Sequence, residues 1–227
     1  MNSQKRCQYF RQKILDMSLN VSALHIGGSF SCTEILDTIF FRFFKKKDDL
    51  KNFILSKGHC SILHYVILNY LGIVKDKDLK LYSKSSGKYG VHPEIKNPGI
   101  NASTGSLGHG LAIGAGFALS NRKKTFFVVL SDGELQEGST WEAVITISAL
   151  KLNNLIIIID NNDYQSLEKT SNSHPDLYPL NKKFRDFGWD SVNCNGHNWK
   201  YERITIRKKL FRFSYKRSFT SQYFGYR

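Results

Sequence analysis

Polar side chains that could bind a metal ion follow two apolar runs of the sequence. Asp132-Gly133 comes directly after TFFVVLS, and Asn161-Asn162 comes directly after LIIIID. If both runs are neighbouring strands of a parallel sheet, their carboxyl ends lie at the edge where open parallel sheets bind ligands. A carboxylate and an amide oxygen suit Mg²⁺, which usually completes its octahedron with phosphate oxygens and water. The two pairs together predict an anchor for a metal ion and a diphosphate.

The spacing of the two pairs supports this interpretation. Taken alone, Asp-Gly is a common turn sequence and Asn-Asn a common loop sequence, so neither identifies a site by itself. Between Gly133 and Asn161 lie 27 residues. That length accommodates one helix and one strand, which would bring the two polar pairs to adjacent strand ends.

Helical and extended patterns alternate along the chain. The predicted strands are continuous apolar runs, which is typical of a parallel sheet that is buried on both faces. We therefore predict an α/β fold with helices on both faces of a parallel sheet. The predicted helices are 31–44, 60–71, 107–119, 140–151 and 177–187, and the predicted strands are 125–130, 155–159 and 189–193, with a further short strand in NFILSKGH. The segment 84–104, rich in Gly, Ser and Pro, predicts a long functional loop.

Length and composition indicate one α/β domain, because 227 residues can bury one sizeable core. No apolar run approaches the roughly 20 residues of a membrane span, and the basic N-terminus has no apolar segment behind it. The four cysteines are scattered, without the spacing of a zinc site or a disulfide scaffold, which predicts reduced thiols. We therefore expect a soluble, cytoplasmic protein without a membrane partner.

Positive charge is concentrated at the C-terminus. The net charge is +14, and the last 30 residues hold nine basic side chains against Glu202 alone. A strongly basic chain ordinarily points towards nucleic acid or another anionic surface. Here the excess belongs mainly to the tail, so the body has the charge balance of an ordinary soluble enzyme. We divide the chain into a domain at 1–197 and a basic, aromatic tail of doubtful order at 198–227.

Five motifs in order make the sequence resemble the N-terminal, diphosphate-binding part of transketolases. They are LHIGGSFSCTEIL at 24–36, FILSKGH at 53–59, GVHPE with NPGINASTGSLGHGLAIGAGFAL within 90–119, DGELQEGSTWEA at 132–143, and the NN that completes the thiamine diphosphate signature. The likeness runs from about residue 10 to His197. It implies the thiamine diphosphate-binding fold, a three-layer parallel sheet with helices on both faces, here with the diphosphate-binding domain alone.

The resemblance implies which residues bind the metal and the diphosphate. Asp132 and Asn162 would bind Mg²⁺ through side-chain oxygens, with the backbone carbonyl of Tyr164 as third protein ligand. His59 and the Gly133 backbone would contact the diphosphate of thiamine diphosphate, because an imidazole and an amide N–H can both donate to phosphate oxygens.

Further cofactor contacts follow from the same resemblance. The backbone of Gly105, Ser106 and Leu107 would lie against the aminopyrimidine ring, at a close approach that glycine permits. Glu137 would lie near an interface between subunits and the network that activates the cofactor.

The predicted catalytic residues are histidines. By resemblance, His25 and His92 would point at the reactive carbon of the thiazolium ring and at the sugar bound there. The implied activity is transfer of a two-carbon ketol unit between sugar phosphates or related sugars. Three further histidines lie outside such motifs: His64, inside an apolar helix, is predicted to be structural, and His174 and His197 stay unassigned.

The resemblance also implies a partner. The family needs a pyrimidine-binding domain, which nothing in this sequence matches. Because bacterial members are often split over two chains, we expect the partner to be a C-terminal transketolase subunit, in a heterotetramer. This chain alone should be inactive.

The motifs of the family stop after His197. Its next helix, strand and Lys-Gly-rich substrate loop have no counterpart in 198–227. We favour a frameshifted or truncated reading frame, which would leave the domain incomplete at its C-terminus, over a basic arm that binds single-stranded nucleic acid. Three hypotheses therefore stay open: one subunit of a transketolase, a degenerate non-catalytic fragment and, with least support, a nucleic-acid-binding protein.

Overall fold

The computed structural model describes residues 1–21, 25–166, 168–197 and 218–222. The α-helices are α1 (Ser3–Ser18), α2 (Ile26–Ser31), α3 (Thr33–Thr38), α4 (Ser61–Tyr70), α5 (Asp76–Leu79), α6 (Gly110–Ser120), α7 (Gly138–Ala149), α8 (Thr170–Ser173) and α9 (Leu180–Asp186). The strands are β1 (Phe53–Leu55), β2 (Phe126–Ser131), β3 (Leu155–Asn161), β4 (Ser191–Cys194) and β5 (Ser218–Gln222). A π-helix covers Ile39–Phe43, and 3₁₀ helices cover Lys47–Asn52, Gly58–Cys60, Gly133–Gln136 and Pro175–Leu177.

The strands form one parallel sheet in the order β1-β2-β3-β5-β4. Every residue of β1, β2 and β3 is buried, because these apolar runs are covered on both faces. The register pairs Ser131 with Asp160, so the loops that follow β2 and β3 leave the sheet side by side. The predicted α/β fold with a parallel sheet is confirmed.

Helices cover both faces of this sheet. Successive side chains of a strand point to opposite faces, so Phe127 and Val129 of β2 pack with α1, α3 and α4, whereas Val128 and Leu130 pack with α6, α7 and α9. β3 alternates in the same way. Two apolar cores therefore hold the sheet between two layers of helices.

Two predicted elements can be compared with the structure. The helix predicted for 31–44 is interrupted at Cys32, which ends α2 and begins α3, and it finishes as a π-helix. Cys32 departs from helical geometry, with a φ of −92° and a ψ of 13°, a break that the apolar periodicity of 31–44 does not show. The segment 84–104 contains no helix or strand, as predicted.

The tail contributes a strand that the sequence did not indicate. β5 pairs with β3 on one side and with β4 on the other, from Ile157 opposite Ser218 to Asn161 opposite Gln222. Its sequence, SFTSQ, lacks the apolar run that marks β2 and β3, so composition concealed it. The nine basic residues of the tail lie outside the described residues, and the domain boundary after His197 stays a prediction.

Within the described ranges, no helix has the length and hydropathy needed to span a membrane.

A histidine is buried in α4 among apolar side chains. The ring of His64 packs edge-on against Phe40 and Phe53, with centroids 5.4 and 5.1 Å away. Neither ring nitrogen has a hydrogen-bond partner among the residues that the structure describes. Burial lowers the pKa of His64 to about 3, so the ring is neutral in the folded protein.

We predict that His64 makes the fold sensitive to acid. Below a pH of about 6.5 this imidazole binds a proton in the unfolded chain but stays neutral in the folded chain. The free energy of unfolding should therefore fall as the pH decreases from about 6.5 towards 3. His64→Leu should raise the free energy of unfolding by about 1–3 kcal/mol at neutral pH, because a buried unpaired polar group is removed. The free energy of unfolding of this variant should also fall less as the pH decreases.

Urea unfolding at pH 7.5 and pH 5 measures both effects. His174→Leu removes an imidazole from an exposed position and serves as the control. An equal loss of stability between the two pH values in wild type and His64→Leu would contradict the prediction.

Candidate functional site

Asp132 is buried at the carboxyl end of β2. One of its carboxylate oxygens accepts hydrogen bonds from the backbone N–H of Asp163, at 2.7 Å, and from the Thr170 hydroxyl, at 3.0 Å. The other accepts the Gly133 N–H at 3.0 Å. Burial raises the pKa of Asp132 to about 6, because it disfavours the charged form. These contacts fix the carboxylate at the edge of the sheet, beside the loop that follows β3.

Asn162 occupies the neighbouring strand end. Its amide nitrogen donates to the Ser31 hydroxyl at 3.1 Å, and its amide oxygen accepts the Tyr164 N–H at 2.9 Å. Asp163, between Asn162 and Tyr164, has a φ of 62° and donates its N–H to the Asp132 carboxylate. The loop after β3 therefore turns back towards Asp132. The structure thus brings Asp132 and Asn162 to neighbouring strand ends, as the spacing predicted, and Tyr164, named by resemblance, follows Asn162 in the same loop.

The chemistry of this donor set suits a hard cation. Among the described residues, no group of three or more His, Cys, Asp and Glu side chains could hold a metal. The predicted ligands are instead one carboxylate, one amide oxygen and one backbone carbonyl, which are all oxygen donors of the kind that Mg²⁺ takes. Whether a metal binds to Asp132, Asn162 and Tyr164 stays a prediction.

Three histidines from separate loops converge beside this edge. The rings of His25 and His59 lie 5.2 Å apart between centroids, in an edge-to-face arrangement. Burial lowers the pKa of His92, and the nearby His25 and His59 lower it further. A Cβ on Gly105 would lie 3.6 Å from the His92 ring. The predicted catalytic pair and the predicted diphosphate contact, together with the Gly105 loop, therefore share one site.

A tight contact between backbones joins two of these loops. A Cβ on Gly58, next to His59, would lie 1.5 Å from the carbonyl oxygen of Thr104, next to Gly105. Glycine is therefore required at position 58 by the protein itself. At Gly105 a Cβ would make only ordinary contacts, so the close approach predicted there would need the cofactor. Ser106 is exposed, and the Leu107 carbonyl lies 2.9 Å from a ring nitrogen of His109.

The buried carboxylate of the Asp-Gly motif is Glu134, which the sequence analysis did not select. Glu134 is fully buried and accepts hydrogen bonds from the Ser56 hydroxyl and, at 2.9 Å, from the Gly108 N–H. Burial raises its pKa. The predicted Glu137 is exposed and is the N-cap residue directly before α7, with its side chain against Gly108. No sequence pattern marks Glu134: it lies in the 3₁₀ turn after Asp132, and only the fold brings it to Ser56 and Gly108.

A buried ion pair lies beneath the site, and no pattern in the sequence indicates it. Lys57 Nζ lies 2.5 Å from an Asp160 oxygen, and both side chains are almost fully buried. Lys57 also donates to the Gly28 carbonyl at 3.3 Å, and the Ser31 hydroxyl donates to Asp160 at 2.7 Å. The same Ser31 hydroxyl accepts from Asn162. The ion pair therefore connects helix α2, which follows His25, with Asn162 at the end of β3.

Comparison with known proteins identifies the relatives of this chain. Residues 3–209 match the family model described as transketolase, thiamine diphosphate binding domain. One subunit of the apulose-4-phosphate transketolase of Phocaeicola vulgatus is 33% identical, over 82% of this chain and 69% of that protein. The subunit of the same name from Actinobacillus succinogenes is 37% identical, over 86% of this chain and 75% of that protein.

Solved structures agree with these matches. Transketolase of Campylobacter jejuni superimposes with a TM-score of 0.86 and 26% identity, over 98% of this chain and 38% of that chain. Transketolase of Leishmania mexicana has the same fold, with a TM-score of 0.88 over 36% of its length. The chain thus spans most of the two apulose-4-phosphate transketolase subunits and little more than a third of the solved transketolase chains.

We predict that breaking the ion pair on one side destabilises the domain. Lys57→Met should lower the free energy of unfolding by about 3–5 kcal/mol, because it leaves the Asp160 carboxylate buried without its cation. The double variant Lys57→Met/Asp160→Asn should recover part of that loss, since it removes the unpaired charge. Denaturant unfolding of both variants measures the difference. A double variant that is less stable than Lys57→Met would contradict this explanation.

A second prediction concerns the contact at Gly58. Gly58→Ala should lower the free energy of unfolding by at least about 1–3 kcal/mol, because the added methyl group overlaps the Thr104 carbonyl. Gly116→Ala in α6 is the matched control: a Cβ there meets nothing within 4 Å, and alanine favours a helix by about 1 kcal/mol over glycine. Thermal unfolding should therefore shift in opposite directions, and equal shifts would show that position 58 has no special constraint.

Proposed function

Since the chain belongs to the transketolase family and carries its thiamine diphosphate-binding domain, we propose that it is the N-terminal subunit of a split transketolase. In this proposal it binds thiamine diphosphate with Mg²⁺ and takes part in transfer of a two-carbon ketol unit between sugar phosphates or related sugars. The observation that carries the proposal is the convergence of His25, His59 and His92 beside the sheet edge that holds Asp132 and Asn162.

The residues at the edge fit a metal ion and a diphosphate. The Asp132 carboxylate is buried and its charged form is disfavoured, so a divalent cation beside it would stabilise that form. Asn162 and the Tyr164 carbonyl would supply the other protein ligands. His59 and the Gly133 N–H would donate to phosphate oxygens, whose charge the cation also offsets.

The histidines fit the handling of sugar hydroxyl protons. When bound, thiamine diphosphate supplies a thiazolium ring that stabilises a carbanion, which no side chain can do. His25 and His92 would bind and orient the sugar and move protons at its hydroxyl groups, a task that imidazoles perform near neutral pH. Burial lowers the pKa of His92, which favours its neutral form, the form that can accept a proton.

A second subunit would complete the site. The relatives from Phocaeicola vulgatus and Actinobacillus succinogenes are each named as one subunit of a transketolase, and we propose a C-terminal subunit that supplies the pyrimidine-binding domain, in a heterotetramer. Without it this chain would be inactive. Helix α6 supports such a contact, because it has no charged residue and exposes Ile113 and Leu119, which are 36% and 46% exposed.

The degenerate-fragment hypothesis makes a different prediction about binding. It requires a folded domain that no longer holds the cofactor. In the described part of the chain, β5 lies in the sheet between β3 and β4, so the sheet does not lack the strand whose absence would favour a fragment.

We also expect a reducing, cytoplasmic location, because Cys7, Cys32 and Cys60 are free and buried.

Calorimetry with thiamine diphosphate and Mg²⁺ tests the proposal. The chain is measured by itself and mixed with its candidate C-terminal subunit. Asp132→Ala should weaken cofactor binding at least about 100-fold, because a metal ligand is lost. Asp176→Ala, which removes a carboxylate from an exposed position, should leave binding unchanged. A folded wild-type complex that does not bind the cofactor would contradict the proposal and favour the degenerate fragment.

A further inference from the structure

We propose that Glu134 is a positioning residue that connects the metal-binding loop with the loop at Gly105–Leu107, so that both ends of thiamine diphosphate are held at a fixed separation. This inference rests on the proposed function. In that function Asp132 and Gly133 hold the diphosphate end of the cofactor, and Gly105–Leu107 lie against its aminopyrimidine end.

The carboxylate of Glu134 contacts two loops and the last residue of β2. One of its oxygens accepts hydrogen bonds from the Ser56 hydroxyl, on the loop that leads to His59, and from the Gly108 N–H at 2.9 Å. The other oxygen faces the Ser131 N–H at 3.4 Å, directly before Asp132. The three donors come from separate parts of the sequence, and the carboxylate brings them to one point.

The main chain of Glu134 is fixed as well. Its N–H donates to the Ser131 hydroxyl at 3.2 Å, and its carbonyl accepts the Thr140 hydroxyl at 3.0 Å. Both hydroxyls are on residues that are buried. Glu134 therefore cannot follow a movement of one loop without disturbing the 3₁₀ turn after Asp132 and the start of α7.

The loop on the aminopyrimidine side has little freedom to adjust. Gly108 has a φ of 83°, and a Cβ there would lie 2.4 Å from the Ser139 hydroxyl. A Cβ on Gly110 would lie 2.3 Å from the Ser56 hydroxyl. Because the backbone packs so closely, the Gly108 N–H has a fixed direction, and Glu134 is the side chain it meets.

Replacing Glu134 with glutamine removes one of the two accepting oxygens and changes the volume of the side chain little. A carboxylate accepts hydrogen bonds at both oxygens, whereas a carboxamide has one oxygen and one NH₂ group. Whichever way the amide faces, an NH₂ group meets either the Ser131 N–H or the donors from Ser56 and Gly108. Glu134→Gln should therefore weaken the connection between the loops while the domain stays folded.

The test compares a ligand that spans both loops with one that contacts only the metal loop. Dissociation constants are measured by calorimetry for thiamine diphosphate and for inorganic pyrophosphate, each with Mg²⁺, on the chain mixed with its candidate C-terminal subunit. We expect Glu134→Gln to weaken thiamine diphosphate at least 10-fold, and pyrophosphate less than about 3-fold, by the scale of losses seen when residues that orient metal-site ligands are replaced. Glu168→Gln, the same change at an exposed residue, should alter neither constant.

Other results would overturn the inference. Equal weakening of the two ligands would mean that Glu134 supports the domain as a whole, and no weakening would mean that the loops hold their separation without it. If thermal unfolding shows that Glu134→Gln does not fold, Ser56→Ala replaces it, because it removes one of the donors to Glu134. Ser56→Ala must then weaken the binding of thiamine diphosphate more than the binding of pyrophosphate. A wild-type complex that binds pyrophosphate but not thiamine diphosphate, or neither ligand, would overturn the proposed function itself.

Discussion

The geometry of the site depends on the buried ion pair of Lys57 and Asp160. Both charges are removed from water, and an unpaired charge there would cost several kcal/mol. The loop after β1 must therefore meet the end of β3 at one position. Through Gly28 and Ser31 the same pair fixes helix α2, which follows His25, and reaches Asn162. Since Lys57 pairs with Asp160, the charge of this carboxylate is already balanced within the protein.

Much of this arrangement could be predicted because it depends on residues that are close together in the sequence. Continuous apolar runs in β2 and β3 predicted a sheet covered on both faces, and a polar residue at the end of such a run can only emerge at the edge of the sheet. The separation of Asp132 from Asn162 then predicted that they meet. The convergence of His25, His59 and His92 was expected from resemblance alone, since no periodicity in the chain relates their three loops.

The parts that escaped prediction depend on distant partners. Glu134 meets Ser56 across 78 positions of sequence, and Lys57 meets Asp160 across 103. Charged residues are usually exposed, so a pattern of polar and apolar letters assigns both to the surface. β5 was missed for a related reason: its residues lie between two strands that already exist, and the neighbours rather than its own composition make it a strand.

The position of β5 also has a consequence for the order in which the sheet can form. β4 precedes β5 in the chain, yet in the sheet it pairs with β5 and is separated by it from β3. During synthesis on the ribosome, β1, β2 and β3 can assemble as soon as they emerge, whereas β4 must wait for a later segment before it finds its neighbour. The pairing of β3 with β5 joins residues 61 positions apart, from Ile157 to Ser218, and closing so long a loop makes it slow. Until then β3 has an open edge, which a nascent chain would need to protect from other strands.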